Sequence, residues 1–257
     1  TSDGSFAPAF PIASASGPAW TLPVAVETSV FSTELVVANL ASRKRTIRVT
    51  LVPSGGAASA SLDLALLPDE QLLVPDLVAR LRAANPAALG ESGSPVVGAV
   101  FLSDTGGDDG PLLAAARVSS PGAGGRLGLF ELAAPRGAAA GDDAWLYGLR
   151  QDAENRTNVA FVSTGDGDGS TDVFDADVYD GDSGLLVRSV AGVAAVPPRG
   201  YAQIDAFLSH VAPGVSNAYV QVRRTSGGNP FLAYAVVNDG AAPGQRSGDG
   251  AFVPAVP

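Results

Sequence analysis

The chain repeats itself. Ser32-Thr33-Glu34-Leu35-Val36-Val37 is echoed by Arg156-Thr157-Asn158-Val159-Ala160-Phe161, and Pro111-Leu112-Leu113-Ala114-Ala115-Ala116 by Pro230-Phe231-Leu232-Ala233-Tyr234-Ala235. Leu129-Phe130-Glu131-Leu132-Ala133-Ala134-Pro135 returns as Ala251-Phe252-Val253-Pro254-Ala255-Val256-Pro257, and the order is kept throughout. Trp20-Thr21-Leu22 opens the first half and Trp145-Leu146-Tyr147 the second. Ordered self-similarity of this kind marks two copies of one unit and constrains the fold more than any local motif. A third closing segment stands near the start, where Phe6-Ala7-Pro8-Ala9-Phe10-Pro11 resembles Phe252 to Pro257. Two units thus come with three closing segments.

Within each copy the apolar residues alternate. Ile47, Val49 and Leu51 share one face and Arg48 and Thr50 the other; Ala218, Val220 and Val222 alternate with Tyr219, Gln221 and Arg223. Period two with one polar face is the mark of an antiparallel sheet packed on one side. About seven such runs per half, separated by Gly- and Pro-rich turns, predict an all-β chain of two tandem immunoglobulin-like antiparallel β-sandwiches. Each half also carries one short crossover helix, expected at Asp76–Leu81 with Asp76 as N-cap and near Gln203–Leu208. The expected organisation is an extended arm over residues 1–19, a first sandwich over 20–136 and a homologous second over 137–257. An Ala- and Gly-rich linker, Arg136 to Asp143, lies between the two.

Composition narrows the function. The net charge of −10 opposes binding to nucleic acid or to anionic membranes. With no Cys there is no disulfide framework, thiolate nucleophile or Cys-ligated metal. No run approaches the roughly 18 apolar residues that span a bilayer, so no membrane insertion is expected. The opening Thr1-Ser2-Asp3-Gly4-Ser5 reads as a mature end left after signal removal.

Arg156-Thr157-Asn158-Val159, Leu232-Ala233-Tyr234-Ala235 and Phe252-Val253-Pro254-Ala255 resemble the repeated β-sandwich modules at the C-terminal ends of large exported proteins of Acidobacteria-like bacteria. The resemblance covers the second half well and the first more loosely, since Phe130-Glu131-Leu132 lacks the Pro. It implies export and a secreted or cell-surface location, and it carries over no functional residues.

Two motifs suggest chemistry. Gly181-Asp182-Ser183-Gly184 copies the nucleophile segment of chymotrypsin-like proteases, but the single His, His210, follows the serine rather than preceding it. Flanking strand patterns make a hairpin turn the better reading. Asp166, Asp168 and Asp177 fall at EF-hand-like positions for Ca²⁺, yet Thr171 stands where the sharp turn wants Gly, which favours a solvated acidic loop.

The leading expectation is a non-enzymatic extracellular structural protein, a filament or surface-layer subunit that self-associates by β-strand donation. The donor would be Phe6, Ala7, Pro8, Ala9, Phe10, Pro11 and Ile12. The alternative is a surface-displayed adhesion or carbohydrate-binding module, which calls for exposed aromatic residues clustered on one face. Tyr147, Tyr179, Tyr201, Tyr219 and Tyr234 are scattered along strands, which points to packing roles. Trp20 and Trp145, read as equivalent, are expected in the cores.

Overall fold

The computed structural model describes residues 19–56, 58–107, 110–122, 125–243 and 245–256. The arm residues Phe6 to Ile12 lie outside the described residues. The chain is nearly all β, with its strands in four antiparallel sheets, and it divides after Ala138 into two compact units.

In the first unit the strands are β1 (Ala19–Glu27), β2 (Ser32–Asn39), β3 (Arg45–Pro53), β4 (Ala60–Leu66), β5 (Gln71–Val74), β6 (Val96–Asp104), β7 (Leu112–Gly122), β8 (Gly125–Leu132) and β9 (Ala134–Pro135). They form sheets ordered β4-β3-β6-β1-β9 and β5-β2-β7-β8. In the second unit they are β10 (Asp143–Arg150), β11 (Asn155–Ser163), β12 (Asp172–Asp180), β13 (Leu186–Val196), β14 (Tyr201–Ile204), β15 (Asn217–Ser226), β16 (Phe231–Asp239) and β17 (Gly250–Pro254). Their orders are β13-β12-β15-β10 and β14-β11-β16-β17, and Val256 bridges Trp145 just as β9 pairs with β1. Strand for strand, the two units share one topology. In each, the last segment closes both sheets, pairing first with the penultimate strand and then crossing to the opening one.

Each unit buries one core between its sheets. Leu22, Leu35, Ile47, Leu51 and Leu102 are among the residues of the first. Leu146, Phe161, Phe174, Val220 and Phe231 serve the second, where Phe174 touches both other rings at centroid distances of 5.1 and 4.8 Å. In both units a helix carries the chain from one sheet to the other. Helix α1 (Leu77–Ala84) is capped by Asp76, whose carboxylate accepts from the Ala79 N–H. Helix α2 (Phe207–Val211) starts later than its pattern suggested, because Gln203 and Ile204 belong to β14. It has no side-chain cap; Ala206 stands before it in a left-handed conformation, φ 45°, and donates its N–H to Asn158 Oδ1.

A buried threonine ties the sheets together at the same corner of each unit. Thr33 on β2 accepts from the Val26 N–H (2.7 Å) and donates to the Val26 carbonyl (2.8 Å) on β1. Thr157 on β11 does the same with Arg150 on β10, at 2.9 and 2.7 Å. Both threonines are fully buried. Replacing either by Val keeps the shape and strands one N–H and one C=O, so Thr33→Val or Thr157→Val should cost about 1–3 kcal/mol. Thr→Ser at the same position should cost less. Urea denaturation of the four single variants checks this.

Candidate functional site

The opening strand of each unit carries a bulge, and the bulge sets which side chains face out. β1 pairs Leu22 with Val100 and resumes at Ala25 with Gly98. β10 pairs Leu146 with Val220 and resumes at Leu149 with Ala218. Aligned on the bulge, Leu22 corresponds to Leu146, Trp20 to Ala144 and Thr21 to Trp145. The two tryptophans are therefore one residue out of step, and a one-residue step in a strand reverses the face. Trp20 is 2% exposed and packs in the core, with the Arg45 guanidinium 5.5 Å from its ring. Trp145 lies between the core residues Ala144 and Leu146 and points the other way. The expectation that both tryptophans pack inside is thus corrected for Trp145.

On that outer face Trp145 meets three tyrosines. Its ring centroid lies 6.2 Å from Tyr147, 5.6 Å from Tyr179 and 6.1 Å from Tyr219. Tyr179 and Tyr219 are direct cross-strand partners on β12 and β15. Their rings are 5.0 Å apart and within 5° of parallel, an offset stack. Tyr147 continues the row on β10, 6.0 Å and 20° from Tyr219, and is 52% exposed. Trp145 is tilted by 38° and 34° to Tyr179 and Tyr219. The row runs on to exposed Leu186, the cross-strand partner of Tyr179 on β13.

The turn at one end of the row is built from the Gly181-Asp182-Ser183-Gly184 motif. Asp180 Oδ1 accepts from the N–H groups of Asp182 and Ser183 and from the Ser183 hydroxyl. These bonds, that of the Ser183 hydroxyl first, hold the Asp180 carboxyl below its ordinary range. The Ser183 hydroxyl is thus engaged with a carboxylate in a hairpin turn. Tyr219 donates its phenol to the Gly184 carbonyl (3.3 Å), which fixes its ring against this turn. Beside the rings runs a polar row, in which Gln221 donates to Asp143 Oδ2 (2.8 Å) and Arg223 pairs with Asp177 (3.0 Å).

The first unit serves as an internal comparison. The matched registers place Thr21, Pro23, Val52 and Ala99 where the second unit has Trp145, Tyr147, Tyr179 and Tyr219. The scaffold does not need rings at these positions, so the cluster is particular to the second unit. Of the five tyrosines, three join it. Tyr201 and Tyr234 are buried elsewhere, with their hydroxyls 3.0 Å apart and Tyr234 packed 5.0 Å from Phe252. The scattered-tyrosine reading is corrected accordingly. The signal was present in the alternation, which put Tyr219 on the same face as Gln221 and Arg223.

The Ca²⁺ candidates do not come together. Asp168 accepts from the N–H groups of Ser170 and Gly228 and holds two loops. Asp166 lies near Arg199, where burial lowers the guanidinium's pKa and the Asp166 charge opposes that shift only in part. Asp177 sits five residues into β12, roughly 16 Å of extended chain beyond the start of that strand, and faces Arg223. Among the described residues no group of three or more His, Cys, Asp or Glu is placed to hold a metal ion.

No protein-family model matches the chain, and no curated protein matches it. Among solved structures, the Thermotoga maritima protein 1070 is similar over 47% of this chain and 96% of its own, with 9% identity and a TM-score of 0.35. That likeness is too slight to show a shared fold. No helix among the described residues is long and apolar enough to cross a membrane.

The placement of the two tryptophans predicts their emission. In Trp145→Phe the remaining Trp20 should emit at short wavelength and resist acrylamide. The unmodified chain should show a second component that acrylamide quenches.

Proposed function

We propose that this protein is a non-catalytic, surface-displayed recognition module of the carbohydrate-binding or adhesion kind, and that the aromatic face of the second unit is its contact surface. One observation carries the reading: four aromatic rings gather on the outward face of a sheet whose first-unit counterpart has none at the same positions. A contiguous apolar patch on a sheet face is what interaction surfaces present. Trp, Tyr and Arg are the side chains that dominate binding energy at such surfaces. The open face suits an extended polymer better than a small molecule, which needs a concave site. Asp143, Asp175 and Asp177 on the same face, with Arg223 their cationic neighbour, disfavour anionic polymers, as does the net charge of −10. Export, implied by the resemblance to bacterial surface modules, agrees with this use.

Self-assembly by strand donation from Phe6 to Ile12 is the second reading. The segment repeats the sequence of the closing strands, which supports it. Both closing positions are filled by the chain's own β8–β9 and by β17 with Val256, so donation there requires displacement of a strand.

Affinity electrophoresis against β-glucan, xylan, mannan and polygalacturonate tests the first reading. Retardation by a neutral polymer is expected, with Trp145→Ala/Tyr147→Ala weakening it at least about tenfold, or ~1.4 kcal/mol. No retardation by any polymer, or equal retardation of the variant, overturns it. Light scattering on the full chain and on a chain beginning at Trp20 separates the second reading, which requires oligomers of the former alone.

A further inference from the structure

The closing strand of the first unit carries a side chain that the repeat does not call for. Glu131 lies on β8 opposite Ala116, and its counterpart in the second unit is Val253, opposite Ala235. Val253 packs on an apolar core. Glu131 is 1% exposed, in a place where the fold accepts a plain hydrocarbon.

Its partner is the bulge of the opening strand. Between the paired residues Leu22 and Ala25 the chain leaves the ladder, and the Val24 N–H donates to the Glu131 carboxyl. The carboxyl thereby joins β8 in one sheet to β1 in the other. Its Oε2 has no hydrogen-bond partner among the described residues. Among the described residues no cation acts on it. On β1, Glu27 is already bound by Arg82. On β7 and β2, Arg117 and Glu34 alternate with core residues, face outward and approach each other to 4.0 Å. On β8 itself, Arg126 donates to Ser119 and Ser32.

We infer that Glu131 is a pH-sensitive latch: as a neutral acid it holds the closing strand β8–β9 against β1, and as a carboxylate it drives that strand off. An ionised group in this place has one N–H and no counter-charge, and a lone buried charge is relieved by protonation or by movement into water. β8 is the outermost strand of its sheet and β9 makes only two register pairs with β1, so moving this segment disrupts least. Its departure bares the edges of β7 and β1, which are then open to pairing with another strand.

Burial pushes the Glu131 carboxyl well above its ordinary range, and the Val24 N–H opposes that shift only in part. The sign follows. A carboxyl whose folded value is raised binds its proton more tightly in the folded chain. Its contribution is fully present below the unfolded value, about 4.3, and is lost as pH rises through the folded value.

Hydrogen exchange of the full chain at pH 5, 7 and 9, corrected for the intrinsic rate, tests the latch. Protection of β8 relative to β3 and β6 in the same unit should fall at least tenfold from pH 5 to pH 9. In Glu131→Gln the ratio should stay constant. Glu131→Val, the residue of the second unit, provides the same comparison if the amide does not fold. Constant protection in the unmodified chain, or the same fall in both variants, overturns the inference.

Discussion

One hydroxyl per unit joins the two sheets where the chain first passes between them, and the rest of each sandwich is arranged around that join. Thr33 answers both the N–H and the C=O of Val26, one residue before the end of β1, and Thr157 those of Arg150, the last residue of β10. A buried hydroxyl in that role satisfies two backbone groups near the end of the opening strand. The join also fixes the angle at which the second strand enters the facing sheet. From there strand order, crossover helix and closing strand follow identically in both copies.

On this common frame the copies have diverged by exchange of side chains rather than of strands. Arg45 and Asp104 form a buried pair in the first unit at 2.7 Å. The matched registers put Asp172 and Arg224 at those positions, with the charges reversed. There the two groups meet over Asn229, whose N–H donates to Asp172 and whose carbonyl accepts from Arg224. The first unit has Thr21, Pro23, Val52 and Ala99 where the second has its four rings, and hides a carboxyl under its closing strand. The second carries stacked rings outside and a valine inside. On the two proposals made above, the second unit makes the contact and the first closes conditionally.

The strands were legible because alternation is a local property. Ile47, Val49 and Leu51 fell on the core face as their period required, and Asp76 capped its helix because a cap needs only its own turn. The aromatic face was not legible by the same means. It depends on Trp145 standing one residue out of step with Trp20 relative to the one-residue bulge that both opening strands share, and that bulge reads differently in the two copies: Pro23-Val24 in one and Tyr147-Gly148 in the other. It depends also on β12 and β15 becoming neighbours, which brings Tyr179 beside Tyr219 across about forty residues of chain.

A duplicated all-β chain with its apolar faces inward could be read from the residues alone, since periodicity and internal repetition follow from backbone geometry and need no knowledge of partners. Which aromatic residues stand together outside, which acidic residues stay apart, and that Glu131 is enclosed emerge with the packed fold. Each of those depends on strand order and register between segments distant in the chain, and register turns on single-residue offsets that a repeated sequence does not display.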